Sequence, residues 1–286
     1  MSAMDRRHFV AGSLASGFAA AVLPVSATTL TTSSEGLAQG ESEIPVGDIA
    51  LPAYWARPEQ GEAWPLVIVV QEIFGVHEHI RDVCRRFARR GVLAVAPELF
   101  VRQGDPSQVG DISQLMRDIV SRVPDAQVMA DLDATISWAR SQGATDAVAI
   151  TGFCWGGRIS WLYAVHQPAI RAAVAWYGRL TGTSTELQPQ HPVDLAADLK
   201  APVLGLYGGL DRGIPLQDVQ QMRRALEQEG VSVAARASRF VVYPEAGHGF
   251  HADYRASYRD VDARAAFAEC CLWMRDHGIA LDTRDA

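Results

Sequence analysis

Three side chains in this sequence could together perform nucleophilic catalysis. Cys154 lies within Gly152-Phe153-Cys154-Trp155-Gly156, Asp211 follows Gly208-Gly209-Leu210, and His248 stands between Gly247 and Gly249. The first stretch has the Gly-x-nucleophile-x-Gly spacing of a nucleophile elbow, with a thiol in the nucleophile position. A free thiol has a pKa of about 8.5 and is mostly protonated at neutral pH, so it needs a base or a positive neighbour. His248 can take that proton and later return it to a leaving group. Asp211 can fix the imidazole tautomer and stabilise the imidazolium as it forms. An oxyanion needs backbone N–H donors, and the amide of Trp155, next to the nucleophile at a helix start, is well placed to be one.

These residues require a scaffold that brings three distant segments to one edge. Pro65 to Val70, Ala147 to Thr151, Val203 to Tyr207 and Phe240 to Tyr243 are short apolar or β-branched runs, each read as a strand. Arg158 to His166 carries helix-compatible residues after the elbow. Strands alternating with helices predict an α/β fold, with a mostly parallel central sheet flanked by helices and right-handed crossovers. In such sheets functional residues gather beyond the carboxyl ends of the strands, where all three candidates fall. Ile73, after the strand ending at Val70, is the expected second oxyanion donor. Ile49 to Ala56 is read as an added edge strand or hairpin, and Leu180 to Leu199 as a long polar insertion able to reshape the pocket.

Four motifs in order then carry a resemblance. Gln71-Glu72-Ile73-Phe74-Gly75, Gly152-Phe153-Cys154-Trp155-Gly156-Gly157, Gly209-Leu210-Asp211 and Gly247-His248-Gly249-Phe250 resemble the dienelactone hydrolase (carboxymethylenebutenolidase) family, over about Val46 to Gly278. The resemblance implies an α/β-hydrolase fold and hydrolysis of an ester or lactone through a Cys154-Asp211-His248 triad and a covalent acyl-enzyme. A general carboxylesterase or thioesterase is the alternative, and a non-catalytic ligand-binding protein on the same fold is a more distant one. Glu72 is similar to the family glutamate that contacts the thiol and helps control its ionisation when substrate arrives. Arg102 matches an arginine that pairs with a substrate carboxylate, a task suited to a guanidinium fork. The chain departs from the family at Ala252, where a second carboxylate-binding arginine is expected; Arg255 lies three residues on. The resemblance therefore reaches the reaction class further than it reaches the substrate.

Other features bound the reading. Ile80, Val83, Cys84, Phe87 and Ala88 follow the spacing of a buried helix face, as do Phe267, Cys270, Cys271 and Met274, so these cysteines are expected in the core. No CxxC pair occurs, and His77-x-His79 and His248-xx-His251 lack a third ligand, so neither metal nor cofactor is expected. Arg85-Arg86 and Arg89-Arg90 are read as a solvated helix face. With 286 residues, 48% hydrophobic content and a formal charge of −7, the chain suits one substantial core and no nucleic-acid partner.

Asp5-Arg6-Arg7-His8-Phe9-Val10 resembles a twin-arginine export signal, followed by a moderately apolar stretch to Val25 and a small-residue cleavage pattern at Val25-Ser26-Ala27. That stretch is too short and too interrupted by Gly12, Gly17 and Pro24 for a stable membrane span. The expected organisation is a signal over 1–27, a flexible lead over 28–45 and one hydrolase domain over 46–286. It implies the twin-arginine machinery as a partner and a periplasmic or secreted location, with the cytoplasm as the alternative if the signal is unused.

Overall fold

The structure, a computed structural model, describes residues 30–283. Its centre is one eight-stranded sheet in the spatial order β1-β2-β4-β3-β5-β6-β7-β8. The strands are β1 (Leu37–Val46), β2 (Ile49–Pro58), β3 (Trp64–Val70), β4 (Leu93–Pro97), β5 (Ala144–Phe153), β6 (Ile170–Trp176), β7 (Val203–Gly208) and β8 (Arg239–Tyr243). From β4 to β8 every neighbouring pair is parallel, while β1–β2 and β2–β4 are antiparallel. The main helices are α1 (Glu78–Ala88), α2 (Ile112–Asp118), α3 (Asp125–Ser141), α4 (Trp155–His166), α5 (Leu216–Leu226), α6 (Val233–Ala237) and α7 (Asp260–Asp276). No helix among the described residues is long and apolar enough to cross a membrane.

Sequence chemistry accounts for this layering. Leu66 to Val70 is fully buried, because helices cover both faces of a parallel sheet and an uninterrupted apolar run suits that position. Truncating Ile68 to alanine there costs roughly 2–5 kcal/mol. The expected hairpin at Ile49 is present as β2, but its partner β1 occupies much of the stretch read as a flexible lead. In β1 only Ile44 is buried. An edge strand with so little apolar surface leaves a weak signal, and its pairing with β2, from Leu37↔Pro58 to Val46↔Ile49, is what defines it. Just before it, the Leu30 amide donates to Asp253 Oδ2 at 3.2 Å and the Thr32 amide to Asp82 Oδ1 at 2.5 Å. The export signal and its cleavage pattern lie outside the described residues.

The arginine run departs in part from its reading as a solvated face, for Arg89 is exposed but Arg85 and Arg86 are not. Arg85 is buried and pairs with Glu78 at 2.5 Å and Asp82 at 3.0 Å, while Arg86 bridges Asp82 at 2.7 Å and Asp253 at 3.0 Å. Carboxylates from the preceding turns of α1 and from the loop before α7 cover these guanidinium groups. Cys84, Cys270 and Cys271 are buried, as expected, and burial pushes each thiol pKa up.

Strand order also fixes where a site can form. The chain runs from β3 outward to β4, then returns across β3 to start β5 on its other side. The carboxyl ends of β3 and β5 thus border the crevice at which the direction of winding reverses, the place where ligands bind in open α/β sheets.

Candidate active site

Cys154 caps α4 directly after β5, with a backbone φ of +55° that non-glycine residues rarely adopt. The elbow holds this turn by close backbone packing. A Cβ on Gly152 would come within 2.2 Å of the Gly156 carbonyl oxygen, and one on Gly156 within 2.5 Å of the Val70 and Gln71 carbonyls. Glycine at both positions is therefore required by contact. The turn leaves the Cys154 sulfur at the start of α4, where the helix dipole favours negative charge.

His248 meets this sulfur from the loop after β8. Its Nε2 is 3.2 Å from Cys154 Sγ, and its Nδ1 is 2.8 Å from Asp211 Oδ2. Asp211 is fixed in turn, because its Oδ1 accepts from the Gly213 and Ile214 amides at 2.8 and 3.0 Å. Loop stitching supports the alignment: the Gly209 amide donates to the Tyr243 carbonyl and the Leu210 amide to that of Ala246. Burial disfavours the imidazolium, but the Asp211 carboxylate and the Cys154 sulfur outweigh it and raise the His248 pKa to about 10. The three residues expected to form a triad are thus within hydrogen-bonding reach of one another.

Cys154 opens onto a cavity of about 120 Å³, lined also by Ile73, Trp155, Arg158, Arg179 and Gln188. Trp155 is the first residue of α4, so its amide has no carbonyl one turn earlier to receive it. Gln188 belongs to the insertion expected over 180–199, which therefore contributes to the pocket wall. Arg158 anchors that wall through a two-pronged pair with Asp125 at 2.7 and 2.8 Å and a bond to the Gln190 carbonyl at 2.8 Å.

Glu72 is fully buried and held from three sides. The Tyr254 hydroxyl donates to its Oε2, His77 Nε2 lies 3.5 Å from the same oxygen, and Arg255 Nη2 lies 3.9 Å from Oε1. Burial would raise this carboxyl, but Arg255 and His77 prevail and hold it well below the usual carboxylate range. Among the described residues no hydrogen bond joins Glu72 to the Cys154 sulfur, in contrast to the contact that the resemblance implies. Arg255 does reach back from beyond Ala252, toward Glu72.

Arg102 is placed elsewhere. Its guanidinium makes a two-pronged pair with the buried Asp131 of α3, at 2.8 and 2.9 Å, and it is not among the side chains lining the Cys154 cavity. Tyr254, Tyr177 and Arg179 escaped the sequence reading, and His77 was weighed there only as a metal ligand. Tyr177 follows β6, has φ +39°, and packs edge-on against His248 with ring centres 5.1 Å apart. Tyr177 and Arg179 both follow a strand end, so the rule that located Cys154 could have found them. Tyr254 and His77 had no such signal. Among the described residues no group of three or more His, Cys, Asp or Glu side chains is arranged to hold a metal ion.

A mostly parallel sheet flanked by helices, with a cysteine in a tight turn after β5, an aspartate after β7 and a histidine after β8, defines an α/β-hydrolase fold. The dienelactone hydrolase profile matches residues 51–278, and the chain belongs to that family. It is 55% identical over 280 residues to a provisionally named carboxymethylenebutenolidase of Methylorubrum extorquens, covering 97% of this chain and 94% of that one. A counterpart from Escherichia coli K12 is 51% identical over 265 residues, covering 92% and 96%. The crystal structure of a provisionally named dienelactone hydrolase from Klebsiella pneumoniae superposes with a TM-score of 0.80 at 54% identity, covering 84% of this chain and 98% of that one. The protein is accordingly a carboxylic ester hydrolase. The fold alone is shared with a dienelactone hydrolase-like promiscuous phosphotriesterase from metagenomic libraries, at 19% identity and a TM-score of 0.67.

Proposed function

We propose that this protein hydrolyses a small ester or lactone through a covalent thioester on Cys154. The observation that carries the reading is the continuous contact from Sγ through His248 to Asp211, at 3.2 and 2.8 Å, at the start of a helix. His248 takes the thiol proton and the thiolate attacks the acyl carbon. The Ile73 and Trp155 amides receive the oxyanion. Collapse of the tetrahedral intermediate breaks the acyl–oxygen bond, and the leaving oxygen takes the proton from His248. In a lactone that oxygen remains tethered to the acyl group. Water then gives a proton to His248 and attacks the thioester, and the expelled thiolate recovers the proton, leaving the free acid.

An anionic substrate is part of this proposal, but the carboxylate partner is reassigned. Arg102 pairs with Asp131 away from the Cys154 cavity, while the partly buried Arg179 lines the wall of that cavity beside Cys154. A guanidinium on that wall is suited to receive a substrate carboxylate. The test is a hydrolysis screen of paired acidic and neutral lactones and esters, with Cys154→Ala as the blank. Turnover by Cys154→Ala equal to wild type removes the cysteine mechanism. Preference for open esters over lactones at equal charge moves the reading to a general carboxylesterase or thioesterase. Export by a twin-arginine route is also proposed, from Arg6-Arg7 and Val25-Ser26-Ala27. Retention of an Arg6→Lys/Arg7→Lys double variant inside the cell, with wild type recovered outside the inner membrane, supports it.

A further inference from the structure

The apolar lining of the Cys154 cavity comes from two kinds of segment. Ile73 follows β3 and Trp155 follows Cys154, so the sheet and the elbow fix both. Met116 and Val120 reach the same cavity from outside the sheet, from α2 and the short turn of helix after it. Residues four apart on a helical segment share one side of it. Leu115, Ile119 and Val123 are buried and anchor this segment on the core, while Met116 stays half-buried against the cavity. At about 120 Å³ the cavity is smaller than the ~150 Å³ that encloses a benzene ring. It accommodates an acyl group of about four carbons.

The same wall is tied to α4, the helix that begins at the nucleophile. Arg158 grips both carboxylate oxygens of Asp125, the first residue of α3, and also holds the Gln190 carbonyl. The Asp125 amide donates to the Leu187 carbonyl at 2.9 Å. One ion pair thus links the stretch that carries Met116 and Val120 to the insertion that carries Gln188. We infer that Met116 and Val120 set which acyl groups the enzyme accepts, with Arg158 and Asp125 as the positioning pair that keeps their wall closed. The substrate class is an ester or lactone with a short acyl portion, and this rests on the proposed function at Cys154. Methionine suits the task, because its unbranched thioether fills irregular apolar space. Each methylene that such a wall covers is worth about fourfold in kcat/KM, and a chain it cannot admit loses that gain.

The experiment measures kcat/KM of the full chain on the p-nitrophenyl esters of acetate, butyrate, hexanoate and octanoate. Wild type should peak at butyrate and fall at least about tenfold by octanoate. Met116→Ala should move the optimum to hexanoate, raising the hexanoate-to-butyrate ratio about tenfold, and Val120→Ala should move it the same way by less. Met116→Phe should move the optimum to acetate, and Met116→Leu, which keeps the volume, should hold it at butyrate. Arg158→Lys keeps the cation but loses the fork, so it should flatten the profile and raise KM for butyrate more than it lowers kcat. An optimum that stays at butyrate in both Met116→Ala and Met116→Phe overturns the inference, as does a wild-type profile without length preference. Turnover by Cys154→Ala equal to wild type would refute the cysteine mechanism separately, because the chain-length profile does not depend on which atom attacks.

Discussion

Among the described residues lie two buried histidine–aspartate pairs. His248 and Asp211 are 2.8 Å apart, and His79 and Asp253 are 3.0 Å apart. In the first, the remaining ring nitrogen faces the Cys154 sulfur beside a cavity. In the second, Nε2 is buried without a hydrogen-bond partner, and the ring is enclosed by His77, His251, Phe153 and Tyr254. Asp253 also carries Arg86 and the Leu30 amide, which tie α1 and the segment before β1 to one loop. On the proposed mechanism, the same pair of residue types serves chemistry in one place and tethering in the other. What separates them is whether the second nitrogen meets a thiol beside a cavity.

Turnover should break along that line. Cys154→Ala and His248→Ala are each expected to lower kcat/KM by at least about 10⁴-fold, and the double variant should be scarcely worse, since the two act as a unit. Asp211→Asn should cost about 10²- to 10⁴-fold with little loss of stability, because the imidazole loses its orienting carboxylate. Asp253→Asn should do the reverse, lowering stability by about 3 kcal/mol in denaturant titrations while kcat/KM stays within about tenfold. Loss of activity in a folded Asp253→Asn protein would collapse the distinction between the pairs.

The pH dependence of stability sharpens the same comparison. Burial works to raise the Asp253 carboxyl, but His79, Arg86 and the Leu30 amide hold it below its ordinary 3.8. A depressed pKa contributes stability above the unfolded value and loses it as pH falls through the folded one. The stability gap between wild type and Asp253→Asn should therefore narrow below about pH 4, which acid-range denaturant titrations can measure. The smallest effect concerns the arginines. Arg102→Ala should reduce stability by about 1–3 kcal/mol and affect acidic and neutral substrates alike. Arg179→Ala should weaken acidic substrates selectively, by roughly tenfold in kcat/KM.

Spacing and residue type alone determined the elbow glycines, the order Cys154, Asp211, His248, and the apolar runs of β3, β5, β7 and β8. Each is a local signal: a turn that excludes side chains, a buried apolar run in β3, β5 and β7, or the β-branched and aromatic run of the half-buried edge strand β8. β1 stayed hidden because an edge strand with one buried residue has almost no apolar pattern, and only pairing with β2 defines it. Arg85 is paired within α1 by Glu78 and Asp82, while Arg102 and Arg86 meet carboxylates from α3 and from the loop before α7, segments that nothing local relates to them. Tyr254 was invisible for the same reason, being 182 positions from the carboxylate it holds. The sequence by itself determined which groups could react and at which strand ends they stand. Tertiary structure alone decided which charges they meet, because partners of buried charged groups are chosen by packing between distant segments.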